Sequence, residues 1–484
     1  MLNIFELRLF FPFVFFTFCG FFDFIDEFGY VNEDVFAYTN MAFGEKVLVF
    51  YNNRFKDTAG KIYTSTPKLV GAGDNKYLKS VTIFEALGIK TTENHYYIFK
   101  EHISNLYFIR EGKDFFNNGF EVSLNAFKYK IYLDFSEVYD TSGLYKELAN
   151  KYSFSGITNL DEAIAELKLS PIHTALSSMF ENRFARIFVD TFIEASSDSY
   201  EENAKIIRNK FYYFINKVKE NLGLSVKITN ILTEFDLVLD AIKETNKMLG
   251  NIETADKPFY GKQVEKYYLL YNKSHSKENA TIFLLWITIR LLKELFNETG
   301  EINKSNYITK LKLDMPVRLI LSRLGRGNVD IYREIALLNL LFEYNEDLYT
   351  FTEKELSCIA LKSNNKEKDV INKTKGKFIK KLFADDFIKA YLGVNYYEGI
   401  WYYSKENFEE LNDWFFTLSI INYQKKTTKA RLSEISVKKT VPKEVKQINP
   451  MIEIFYKVGY LRYFIDNIAV KSEYKFELLK DLLL

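Results

Sequence analysis

Residues Gly29–Asn53 read GYVNEDVFAYTNMAFGEKVLVFYNN, and their alternation sets the class of the fold. Two short runs, Val35-Phe36-Ala37-Tyr38 and Val47-Leu48-Val49-Phe50-Tyr51, flank a polar connection from Thr39 to Lys46 that contains Gly44. β-Branched and aromatic residues on both sides of a Gly-bearing loop predict a β-hairpin. The connection is longer than a tight two-residue turn, so it constrains the register only weakly.

The same grammar continues to about Asp140. Strands are expected at Gly60–Thr64, Tyr77–Ile83, His95–Lys100, Leu106–Arg110, Phe120–Leu124 and Phe127–Phe135. Short strands recurring every ten to fifteen residues or so, with Gly, Asn or Asp between them, predict an antiparallel β-sandwich. In the last strand, alternation assigns Phe127, Tyr129, Ile131, Leu133 and Phe135 to the core and Lys128, Lys130, Tyr132 and Asp134 to water. Tyr96 and Tyr132 are thus read as exposed rings able to stack on a sugar, although most of the 34 tyrosines must be ordinary surface or core.

The whole chain sets wider limits. At 484 residues it exceeds a single core, and its 47% hydrophobic content is ample for more than one. A net charge of +1 supplies no field for nucleic acid or an acidic membrane. Cys19 and Cys358 make no disulfide framework, which fits a reducing compartment. The four histidines, His95, His102, His173 and His275, have no metal-ligand spacing, so neither metal nor cofactor is expected. The apolar run Leu9–Phe22 is short for a membrane span and lacks a positively biased leader or a cleavage site. The preferred reading is a Phe-rich piece of fold, with an anchor or export signal as the alternative; the expected location is cytoplasmic.

The phrase Gly29–Asn40, followed by Glu45–Asn53, resembles the segment after the catalytic barrel in a group of large alpha-amylase-superfamily glycosidases. Tyr97–His102, the strand Tyr129–Phe135, the stretch from Phe387 through Tyr391–Asn395 to Trp401, and Asn407–Leu411 resemble the same group in the same order. The resemblance implies a glycoside hydrolase acting on α-glucans with retention, through two carboxyls roughly 5–5.5 Å apart on a (β/α)₈ barrel. A barrel takes about 250 residues, whereas only 28 precede Gly29. No catalytic residue is therefore carried over to this chain. Glu33 and Asp34, adjacent on a strand, point to opposite faces and are expected to be a solvated or capping pair.

Beyond Thr141 the period changes from two to near 3.6. Helices are expected at Leu160–Leu167, from Ile172 to Phe192 after Pro171, and at Ile206–Val218, Ile228–Leu249, Thr281–Phe296, Ile331–Tyr344, Glu353–Lys362, Lys375–Leu392, Asn407–Asn422 and Ile452–Ile468. No fixed repeat appears, so an irregular bundle is expected, with two lobes dividing near residues 250–262. The Lys-rich stretch from Lys425 to Lys446 reads as an exposed loop. Leu324-Gly325-Arg326-Gly327-Asn328 lacks the features of a phosphate loop and reads as a helix-ending turn. Asp385 and Asp386 diverge on a helix and read as surface acids. Tyr396, Tyr397, Trp401 and Tyr402, with Tyr403 beside them, form an aromatic cluster; packing between helices is the preferred reading and a sugar platform the alternative.

The expected organisation is α+β and multidomain. Residues 1–28 form a Phe-rich segment (barrel remnant or anchor), 29–140 a β-sandwich, and 141–484 a large irregular helical region. The expected function is the non-catalytic C-terminal portion of an α-amylase-like glycosidase, with a separate barrel chain and α-glucan as partners. A stand-alone interaction or carbohydrate-binding scaffold is the alternative.

Overall fold

The computed structural model describes residues 17–42, 45–71, 73–153, 155–181, 183–194, 200–250, 276–297, 307–344, 348–359, 365–382, 385–437 and 450–484. The start of the Phe-rich segment, most of the expected lobe division and the Lys438–Lys446 stretch lie outside them. The chain is mixed α and β and divides into two units, residues 1–170 and 171–484.

The first unit is built on one antiparallel sheet. Its long strands are β1 (Thr17–Asp26), β2 (Val35–Ala42), β3 (Glu45–Asn52), β4 (Thr58–Ser65), β7 (His95–Glu101), β8 (Tyr107–Glu111), β9 (Phe120–Leu124) and β10 (Tyr129–Tyr139). The spatial order is β8-β7-β10-β3-β2-β1-β4-β9, and β5 (Lys68–Val70) with β6 (Tyr77–Lys79) makes a separate small ladder. The hairpin β2–β3 pairs from Val35↔Asn52 to Ala42↔Glu45. The strands therefore run through most of the polar connection: Thr39 and Asn40 lie buried in the ladder rather than in the loop.

The sheet curls around a shared interior. Phe22 and Phe24 from β1, Leu48 and Phe50 from β3, Phe99 from β7 and Phe120 and Val122 from β9 meet there, together with Phe115 of helix α2 (Gly112–Asn118). Helix α1 (Ile83–Ala86) adds Ile83 and opens on a capping box formed by Thr82 and Glu85. On the opposite face of β7 and β8, Tyr96, Ile98 and Ile109 are covered by Leu148, Ile157 and Ala163. Leu148 lies in helix α3 (Leu144–Tyr152) and Ala163 in α4 (Leu160–Met179).

Strand β10 departs from simple alternation. Its register shifts between Leu133 and Ser136, and Asp134 takes a left-handed φ of 58°. This bulge resets the faces. Tyr132 lies before the bulge; expected in water, it sits in the main interior at 5% exposure because both faces of the strand are covered there, and beyond the bulge Phe135 packs against the same cluster. Ile131 and Leu133 join Val49 on the other face, while Phe127 and Tyr129 are exposed. Tyr96 is buried as well, so neither Tyr96 nor Tyr132 is a surface ring.

The second unit is helical. Helix α5 (Tyr200–Asn221) buries Ala204, Ile207, Phe211, Phe214, Ile215 and Val218, the three-and-four spacing of a one-faced helix. Phe211 stacks on Phe235 of α6 (Thr229–Gly250), ring centroids 3.9 Å apart. Helix α7 (Ser276–Arg290) is buried on every side from Ala280 to Arg290, the mark of a central element. Among the described residues no helix is long and apolar enough to cross a membrane. Helix α4 runs unbroken through Pro171, where a break was expected. Helix α9 (Lys405–Val437) takes in Lys425 and Lys426, which were expected in a loop. Lys425 meets Glu234 of α6 at 3.1 Å and so holds two helices together.

Candidate functional site

Two places in the described chain combine exposure or hollow space with chemistry capable of recognition. The first holds the aromatic cluster singled out in the sequence. Helix α8 (Asp386–Tyr391) ends where Gly393, at φ 63°, donates its N–H to the Ala390 carbonyl at 3.0 Å. Strands β11 (Asn395–Tyr397) and β12 (Ile400–Tyr402) follow, joined by Glu398 and Gly399 with φ of 46° and 87°. Positive φ at both central residues is the two-residue turn that matches strand twist.

The base of this hairpin is fixed. Ser404 donates its N–H to the Leu392 carbonyl at 2.7 Å, and Tyr403 donates its own to Tyr474 at 3.0 Å. The Tyr403 ring is buried and its hydroxyl meets Ser472 Oγ at 2.8 Å; burial pushes that hydroxyl's pKa up to about 12. The tip stands in water. Tyr396 pairs with Trp401 on one face, 60% and 45% exposed, with ring centroids 5.1 Å apart and planes at 53°. Tyr397 and Ile400 lie exposed on the other face, beside half-buried Tyr402. The preferred expectation, packing between helices, holds for Tyr403 but not for Tyr396, Tyr397 or Trp401. Burying a hairpin tip requires a neighbouring element that reaches it, and the anchoring contacts lie at its base.

The second place is a cavity of about 570 Å³ inside the first unit. Edge strands β8 and β9 converge without pairing; Arg110 Nη2 reaches the Glu121 carbonyl at 3.5 Å, and its guanidinium lies over the Phe120 ring at 4.9 Å. Phe99, Phe108, Phe120 and Tyr132 supply apolar wall, and Lys61, Lys130 and Arg110 supply positive charge. Burial raises the Tyr132 pKa above the ordinary phenol range and lowers that of Arg110. The sequence signal for this site was weak. Phe108 and Arg110 alternate with Ile109, and the pattern alone does not say which face turns inward.

The remaining candidates resolve into structural roles. Leu324 closes a helix and Gly325, at φ 84°, leaves it, while Arg326 pairs with Glu278 at 3.3 Å and Glu334 at 3.0 Å. Asp385 caps α8 through the Phe387 N–H at 2.8 Å, and Asp386 pairs with Lys389 at 2.7 Å. Asp34 pairs with Arg54 at 3.1 Å. His95, Lys90 and Tyr97 converge on Glu137, and the Lys90 ammonium holds that carboxylate below its usual range. Among the described residues no three His, Cys, Asp or Glu side chains are grouped to hold a metal ion. Comparison with family models, curated proteins and solved structures gives no match.

Proposed function

We propose that this chain is a non-catalytic carbohydrate-binding protein, the accessory portion of an α-amylase-like glycosidase that works beside a catalytic barrel. On this reading the curled sheet plays the part of the sandwich that follows the barrel, and α-glucan lies along the hairpin Asn395–Tyr402. The observation that carries it is the tilted, water-exposed pair Tyr396–Trp401 on a hairpin whose base is anchored by buried Tyr403. Rigid aromatic faces offer large contact area at low entropic cost and suit the C–H faces of sugar rings. Two rings inclined to each other fit successive residues of a curved chain better than one flat ring.

The tryptophans make the test direct. Trp286 and Trp414 are fully buried, which leaves Trp401 as the exposed one of three. Titration with maltoheptaose is expected to shift Trp401 emission and protect it from iodide. Trp401→Ala and Tyr396→Ala are each expected to weaken retardation in amylose gels about tenfold, in line with the cost of removing a stacking anchor, with Tm unchanged. No emission change and no retardation of the wild-type chain would end the reading.

A further inference from the structure

The cavity of the curled sheet is lined by a cation, Arg110, that has no ion-pair partner among the described residues. Strand alternation turns Ile109 outward, against the covering helices, and turns Phe108 and Arg110 towards the cavity. Arg110 is half-buried, and its hydrogen bond is a single long one to the Glu121 backbone. Among the described residues no carboxylate lies within ion-pair distance of its guanidinium; Glu121 and Asp114 act on it only through space. Tyr132 is almost fully buried and lines the same cavity, and its hydroxyl has no hydrogen-bond partner among the described residues.

The acids at the cavity rim are accounted for. The Asp26 carboxylate accepts the N–H groups of Phe28 and Tyr30 at 3.0 and 2.9 Å, and so is committed to a turn. Glu27 and Glu121 also line the cavity but are exposed to solvent. Lys61 and Lys130, which also line the cavity, have no ion-pair partner among the described residues. A half-buried cation gives up part of its hydration, and an ion pair normally offsets that loss.

We propose that this cavity binds a small organic anion, with its acidic group on Arg110 and Tyr132 and its apolar body against Phe99, Phe108 and Phe120. The guanidinium provides a planar fork matched to carboxylate or phosphate, and the aromatic wall accounts for an apolar body. The volume falls within the roughly 300–1,000 Å³ usual for small-ligand sites. The site lies in the first unit and is independent of the hairpin reading. Its rival is purely structural: an inward charge on an edge strand discourages edge-to-edge association.

Calorimetric titration of the full chain with octanoate, octyl phosphate and 1-octanol separates the two. The two acids are expected to bind at least about tenfold more tightly than the alcohol, since charge-assisted bonds to Arg110 supply the difference. Arg110→Met should cost octanoate about tenfold while leaving octanol unchanged, and Arg110→Lys should recover part of the loss. Should Arg110→Met fail to fold, Tyr132→Phe carries the test, with a several-fold loss expected for the acids alone. Equal binding of acid and alcohol, undiminished octanoate affinity in both Arg110→Met and Tyr132→Phe, or no binding of either acid would overturn the proposal. Light scattering that shows Arg110→Met self-associating, together with no acid binding by the wild-type chain, would assign Arg110 to guarding the edge.

Discussion

Glu355 serves two partners with one carboxylate. It closes a capping box with Thr352 at the start of the helix Glu353–Leu356, and it pairs with Lys373. The Lys373 ammonium and the Thr352 N–H hold its pKa down at about 2, below the ordinary value of 4.5. A folded pKa depressed in this way contributes stability that is present above the ordinary value and lost as pH falls from about 4.5 towards 2. Because Lys373 is half exposed, solvent screening limits the pair to about 1 kcal/mol or less. Glu355→Gln is therefore expected to lower urea stability by up to about 1 kcal/mol at pH 7 and to match the wild type near pH 2. A difference that persists unchanged at pH 2 would remove ionisation from the account. This feature was legible, since Thr and Glu three residues apart form a local signal, repeated at Thr82 and Glu85. The isolation of Arg110 was not legible. It depends on which edges of the curled sheet converge, and nothing within five residues of Arg110 encodes that.

At the scale of elements, strand β10 shows where reading by alternation fails. The pattern Phe127, Tyr129, Ile131, Leu133, Phe135 looks like one face, yet the bulge at Asp134 sends Phe135 to the other side. There it stacks on Phe99, centroids 5.0 Å apart and planes at 19°. A bulge adds one residue to one strand and inverts every face after it. Only the partner strand reveals this, so a single-strand reading carries the wrong phase through the whole run. Asp134→Gly is expected to stay within about 1 kcal/mol of neutral, because relief of the left-handed φ offsets the entropy that glycine loses. Deleting Asp134 removes the extra residue and places Phe135 opposite Phe99, between the pairs Leu133↔Lys100 and Ser136↔Ile98, so Phe135 should stay against the core and stability should change by about 1 kcal/mol or less, whereas Phe135→Ala should cost about 1–3 kcal/mol. A deletion variant that loses as much stability as Phe135→Ala in chemical denaturation would show that Phe135 reaches the core only through the bulge. The helices were easier to read. Their stripes repeat within one element: Ile206–Val218 lies within the helix Tyr200–Asn221, and Ile228–Leu249 matches Thr229–Gly250 to one residue at each end.

For the whole molecule, the change from strand to helix grammar near Asp140 suggested a domain boundary that the structure places thirty residues later, after Ser170. The discrepancy has a physical cause. Periodicity reports the type of an element, not the surface that it covers. Helices α3 and α4 are written in helical grammar, but Leu148 and Ala163, with Ile157 between the helices, close the outer face of β7 and β8 over Tyr96, Ile98 and Ile109. Fully burying a large apolar side chain contributes about 1.5–3 kcal/mol, and a whole domain keeps only about 5–15 kcal/mol in hand. Uncovering that face therefore removes a share comparable to the total. A fragment ending at Ser170 is expected to unfold cooperatively and remain monomeric. A fragment ending at Asp140 should aggregate, or bind a dye for exposed apolar surface, even though every long strand of the sheet is present. Equal stability of the two fragments in urea, with neither binding dye, would return the boundary to Asp140 and make α3 and the start of α4 part of the helical unit.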